Sequence, residues 1–112
     1  MMKVIGIIPA RYSSSRFPGK PLAKIAGKSI IRRVYDQAKK CKALSALYVA
    51  TDDERIFQHV NEFGGNVIIT GKHNSGTERC NEVAKILDNI FDVIINIQGD
   101  EPFINPKQIT QL

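Results

Sequence analysis

Three short stretches of the chain bring together residue types that can handle phosphate, a divalent metal and a base. The first, Ala10-Arg11-Tyr12-Ser13-Ser14-Ser15-Arg16-Phe17-Pro18-Gly19-Lys20-Pro21, is polar, small and cationic. A triphosphate needs those properties. Backbone amides of small residues can approach its oxygens, and Arg11, Arg16 and Lys20 can neutralise the charge that builds as pyrophosphate leaves. The same composition also suits a surface loop whose cations are simply solvated. The second stretch, Gln98-Gly99-Asp100-Glu101-Pro102, offers carboxylates. Asp100 is a candidate Mg2+ ligand, because a hard dication prefers carboxylate, water and phosphate oxygens. The stretch equally fits a turn in which Gly and Asp serve the backbone. The third, Ser75-Gly76-Thr77-Glu78-Arg79, combines exposed backbone, hydroxyls and a guanidinium that could read a base edge. Its Ser75 and Glu78 are already explained as a capping box, which leaves Gly76, Thr77 and Arg79 without a structural reason.

Other chemistries are excluded by spacing. A Walker A loop needs Gly, four residues, then Gly-Lys-Ser/Thr. Here Gly19-Lys20 is followed by Pro21, and Gly27-Lys28-Ser29 has Leu22 where the first Gly belongs. No G-x-G-x-x-G opens the first helix, so a dinucleotide fingerprint is missing. Cys41 and Cys80 stand far apart with no C-x-x-C or Cys/His spacing, and read as reduced packing residues. His59 and His73 lack a partner at ligand spacing and read as ordinary surface or loop residues. Asp52, Asp53 and Glu54 read as helix-start charges.

Composition sets the outer bounds. The 112 residues, 43% of them hydrophobic, suit one domain with a modest core. Sixteen Lys and Arg against eleven Asp and Glu give a net charge of +5, which suits an anionic partner. The cations are scattered and no aromatic stripe accompanies them, which argues against nucleic acid. The apolar run near the start is too short for a signal-peptide core or a membrane span, so a soluble cytoplasmic protein without a membrane partner is expected.

Regular elements must position these stretches. Positions 4–9 form a continuous apolar run, as in a strand covered on both faces of a parallel sheet. Positions 10–27 then read as a loop. Ser29 can cap a helix carrying Ile30, Ile31, Val34 and Ala38. Positions 47–51 read as a second strand, followed by a helix capped by Asp52 or Asp53, carrying Ile56, Val60 and Phe63, and stopped at Gly64-Gly65. Positions 66–70 read as a third strand. A helix follows with Cys80, Val83, Ala84 and Leu87 on its apolar stripe, then a fourth strand at 93–97. Asn105-Pro106 looks like the start of a last helix. This alternation predicts an α/β fold: a doubly wound, mainly parallel sheet with helices on both faces and right-handed crossovers. Ligands then belong at the carboxyl ends of the strands, in the loops after positions 9, 51, 70 and 97.

With the motifs placed, four blocks carry a family resemblance: IIPARYSSSRFPGKPL at 7–22, VATDDERI at 49–56, SGTERCNEV at 75–83 and INIQGDEPFI at 95–104. Together, in this order and over nearly the whole chain, they resemble the 3-deoxy-manno-octulosonate (KDO) cytidylyltransferases, or CMP-KDO synthetases. The resemblance implies a nucleotide-diphospho-sugar transferase-like fold. It also implies a reaction in which the anomeric hydroxyl of KDO attacks the α-phosphate of CTP, giving CMP-KDO for lipopolysaccharide synthesis and pyrophosphate. By the same resemblance Arg11 and Lys20 hold the triphosphate, and Ala10 and Ser13 bring loop backbone against the nucleotide. Arg16 and Gln98 touch sugar or nucleotide, Gly76, Thr77 and Arg79 help form the cytosine pocket, and Asp100 coordinates Mg2+.

Members of that family carry a further carboxyl-terminal half with a second metal-binding aspartate, much of the sugar pocket and the homodimer surface. Residues 1–112 are therefore expected to be the nucleotide-binding amino-terminal part of a single domain, self-associating through uncovered apolar surface and with little or no transferase activity alone. A CMP-sialic acid synthetase would carry a Gly-Gly-Ser-Lys-like loop where this chain has Tyr12-Ser13-Ser14-Ser15. An 8-amino-KDO enzyme and a non-catalytic nucleotide-binding module remain the other readings.

Overall fold

The apolar run near the start of the chain becomes the centre of a four-stranded parallel sheet. A computed structural model describes residues 3–12, 19–71, 76–87 and 91–97. Strand β1 (Val4–Ala10) buries residues of both parities, because both of its faces are covered. Ile8 and Ala10 join one apolar cluster with Leu47 and Val49, whereas Ile5 and Ile7 join a second with Ala50.

Downstream of β1 the stretch 10–27 is more structured than a loop. It holds a 3-10 helix, Lys20–Leu22, and the first strand of a small antiparallel ribbon made by β2 (Lys24–Ile25) and β3 (Lys28–Ser29). Ala26 at φ 52° and Gly27 at φ 85° make its turn. Arg33 braces that turn from the following helix, donating Nε–H to the Ile25 carbonyl at 2.8 Å and a terminal N–H to the Ala26 carbonyl at 3.2 Å. An Ala where such turns favour Asn or Gly hides this ribbon from sequence reading.

Helix α1 (Ile30–Lys39) starts where Ser29 Oγ accepts from the Arg32 amide at 3.2 Å, and buries Ile30, Ile31, Val34, Tyr35 and Ala38. Strand β4 (Ala46–Thr51) follows, then α2 (Glu54–Glu62), capped by Asp53 and burying Ile56 and Val60. Gly64, at φ 82°, takes the left-handed conformation that ends such a helix. Strand β5 (Val67–Ile69) is shorter than the stretch 66–70. Asn66 instead anchors its flank, its amide donating to Tyr35 Oη at 3.1 Å and its Nδ2 to the Leu47 carbonyl at 3.2 Å. Helix α3 (Gly76–Ile86) and strand β6 (Val93–Asn96) complete the described elements. Ser75 of the expected capping box, His73 and the expected last helix lie outside the described residues.

The sheet order is β5-β4-β1-β6, all parallel, with Ala10 beside Thr51 and Ile7 beside Asn96. Helices α1 and α2 share the cluster containing Ile8, and α3 places Cys80 and Val83 in the cluster containing Ile5 and Ile7. The chain thus winds outward from β1 to β5 along one face, then crosses the opposite face to set β6 on the other side of β1. Such a reversal opens a crevice at the carboxyl ends of the two strands it separates, here β1 and β6. Among the described residues, no helix is long and apolar enough to cross a membrane.

Candidate functional site at the carboxyl edge of the sheet

All four strands end on one edge, and the described residues among those predicted lie at those strand ends or on the segments that follow them. Ala10 is the buried last residue of β1, beside Thr51. Arg11 follows it directly and is exposed. Lys20 opens the 3-10 helix and is half-buried. The Ile97 amide donates to the Ile7 carbonyl at 2.9 Å, so the chain leaves β6 alongside β1, immediately before Gln98. Gly76 and Thr77 form the start of α3. Ser13, Arg16, Gln98 and Asp100 lie outside the described residues. Among the described residues no group of three or more His, Cys, Asp or Glu could hold a metal ion.

The two ends of the phosphate-loop candidate are pinned together. The Gly19 amide donates to the Tyr12 carbonyl at 2.6 Å. Gly19 sits at φ 74°, a conformation that favours glycine, and a Cβ there would lie 2.9 Å from the Tyr12 ring and push it aside. The guanidinium of Arg55 lies over the same ring, 3.2 Å from its centroid. Arg55 in turn forks onto Asp53, Nε to Oδ1 at 3.2 Å and NH2 to Oδ2 at 2.8 Å. Asp53 Oδ1 also accepts the amides of Arg55 and Ile56, at 2.8 and 3.2 Å, as the cap of α2. That hydrogen-bonded fork first, with the two amides, holds the Asp53 carboxyl below its ordinary range.

At the far side of the edge a different arrangement holds the turn after β5. Arg79 is 1% exposed. It donates to Thr70 Oγ1 and to the Gly71 carbonyl, the latter at 3.2 Å, and stands 3.8 Å from Asp52. The Gly71 amide is gripped as well, donating to both Glu82 carboxylate oxygens at 3.0 Å. Arg79 is therefore buried behind the edge and ties the ends of β4, β5 and α3 together. Asp52 is more than a helix-start charge, since it faces this buried guanidinium.

Two further residues depart from their sequence reading or complete it. His59 is no plain surface residue: it lies on α2, half-buried, with Nε2 2.6 Å from Ser29 Oγ and its ring edge-on to Phe63. Burial keeps its pKa below the ordinary value. Cys80 is a packing residue whose thiol is pushed up to about 11 by burial, so it is inert as a nucleophile near neutral pH. Sequence reading missed Tyr12, Arg55 and Glu82 as parts of the edge. Their partners are separated along the chain, and only the spacing Asp53-x-Arg55 hinted at a fork.

Comparison with known proteins agrees with this geometry. A family model described as cytidylyltransferase matches residues 5–112. A 3-deoxy-manno-octulosonate cytidylyltransferase of Parabacteroides distasonis is 58% identical over 110 residues, which span 97% of this chain and 43% of that protein. An 8-amino-3,8-dideoxy-manno-octulosonate cytidylyltransferase of Shewanella putrefaciens is 55% identical over 113 residues, spanning 99% of this chain and 46% of that one. A solved CMP:2-keto-3-deoxy-manno-octonic acid synthetase complexed with CTP superposes with a TM-score of 0.89 at 45% identity, over 98% of this chain and 45% of that one. The chain spans less than half the length of each of these relatives.

Proposed function

Because the chain belongs to the cytidylyltransferase family, we propose that it forms the nucleotide half of a site that transfers CMP from CTP to KDO, releasing pyrophosphate. The observation that carries this reading is the pinned loop after β1. Arg11 precedes Tyr12 and Lys20 follows Gly19, so the two cations flank a hydrogen-bonded pair just beyond the carboxyl end of β1. Two cations whose backbone positions are held together by that bond suit a triphosphate, whose transfer depends on orientation and on stabilising phosphate charge. The solved relative with CTP, at 45% identity, supports the same nucleotide.

In this reading Arg11 and Lys20 neutralise the triphosphate, while Ala10 and Ser13 present loop backbone to it. Arg16 and Gln98 contact sugar or nucleotide. Gly76 and Thr77 border the cytosine, with Arg79 shaping that pocket from behind through Thr70 and Gly71. Asp100 holds Mg2+, which supplies neutralisation of the α-phosphate when bound. The protein works in the cytoplasm, and its product serves lipopolysaccharide synthesis. Relatives named for KDO and for its 8-amino analogue lie at 58% and 55% identity, which keeps the 8-amino sugar as a second reading.

Calorimetric titration of this chain with CTP, with and without Mg2+ and with ATP as competitor, tests the nucleotide assignment. Binding that Mg2+ tightens and ATP competes poorly is the expected result. Equal affinity for ATP, or no binding of CTP, overturns it. Offering both sugars side by side in a transfer assay decides between KDO and the amino sugar.

A further inference from the structure

The clasp of the phosphate loop extends beyond the loop itself, and it runs through residues that the transfer reading leaves idle. Asp53 is fixed to the start of α2 by two amides, Arg55 is fixed to Asp53 by a fork, and the Arg55 guanidinium covers the Tyr12 ring. Tyr12 lies against Gly19 with no room for a Cβ, and its carbonyl receives the Gly19 amide. We propose that Arg55 is the positioning residue of this loop: stacked on Tyr12, it holds Tyr12 against Gly19 and thereby sets Arg11 and Lys20 in the relative placement that a triphosphate needs. The proposal rests on the CTP reading above.

The physical case is one of rigidity. A planar guanidinium gripped by a carboxylate fork has its orientation set before it meets the ring, so little freedom is lost in stacking. A cation over the face of Tyr within about 6 Å of the centroid is attracted by the ring quadrupole. Without that stack, Tyr12 is free to leave Gly19. The hydrogen bond from the Gly19 amide to the Tyr12 carbonyl then lacks the support of the ring. Arg55 itself sits on the exposed side of the stack, 59% exposed at its side chain, so its burial is not what ties it there.

Two readouts on the 112-residue chain test this: protection of the Gly19 amide in hydrogen exchange, followed by NMR, and calorimetric affinity for Mg2+-CTP. Arg55→Ala and Tyr12→Leu are each expected to lower both by about threefold to fivefold, the factor one exposed cation–π contact supports. The double variant should be no worse than either single one, because both remove the same contact. Tyr12→Phe should keep both values, and Arg55→Lys should recover only part, keeping the cation but not the fork. Asp53→Asn keeps a competent helix cap and loosens the fork, so it should act in the same direction without unfolding the chain. Unchanged Gly19 protection in Arg55→Ala, or additive losses in the double variant, overturns the proposal. Lower CTP affinity with intact Gly19 protection also overturns it, since Arg55 would then touch the nucleotide itself. If the wild-type chain fails to bind CTP, the nucleotide reading falls, and Gly19 protection alone decides the positioning role.

Discussion

Two turns on one sheet edge are held by opposite means. The end of β5 is gripped from inside the protein, where Arg79, 1% exposed, reaches Thr70 and the Gly71 carbonyl and faces Asp52, while Glu82 takes the exposed Gly71 amide. The loop after β1 is gripped from outside, by a stack of an exposed Arg55 on a half-buried Tyr12. A buried charge without its partners is very unfavourable, so the inner grip is bound up with folding itself. A solvated stack contributes little to stability and can only select among loop conformations. The difference separates a contact set by burial from one set by an exposed stack.

The largest effect should come from the inner grip. Arg79→Ala leaves Thr70 and the Gly71 carbonyl without their shared donor and Asp52 without its counter-charge, and is expected to lower unfolding free energy by about 3–5 kcal/mol in denaturant titration. A loss below about 1 kcal/mol would erase the contrast between the two turns. Glu82→Ala removes the acceptor of the exposed Gly71 amide, and about 0.5–1 kcal/mol should be lost in the same measurement. Arg55→Ala should leave the unfolding free energy nearly unchanged while still loosening Gly19, which sharpens the contrast between stability and loop placement.

The smallest effect is one of pH. Asp53 is held below its ordinary carboxylate range, foremost by its bond to Arg55, so the folded form favours the ionised group. Its contribution is complete above the unfolded value of about 3.9 and is lost as pH falls through the lower folded value. Gly19 protection in the wild-type chain should therefore weaken only in that acid window, after correction for intrinsic exchange. Asp53→Asn should show no such step. A step of the same size in both would place the titrating group elsewhere.

Much of this architecture is legible in the order and types of the residues. The caps can be read because they act within three residues: Ser29 on the Arg32 amide, Asp53 on those of Arg55 and Ile56. The unbroken apolar run of β1 announces a strand covered on both sides, and alternation of such strands with helices announces the doubly wound sheet. The ribbon at 24–29 is not legible, because its turn places Ala26 at positive φ and draws its support from Arg33 on a later helix.

By itself the sequence determined the alternation of the parallel strands with α1, α2 and α3 and set Arg11 directly after the first strand, since periodicity, caps and motifs are short-range properties of the chain. Tertiary structure alone decided that Arg79 lies buried behind the edge, that His59 meets Ser29, and that Arg55 covers Tyr12. Those pairings join residues from separate elements, and only the winding of α1, α2 and α3 about the two faces of the sheet brings them within reach.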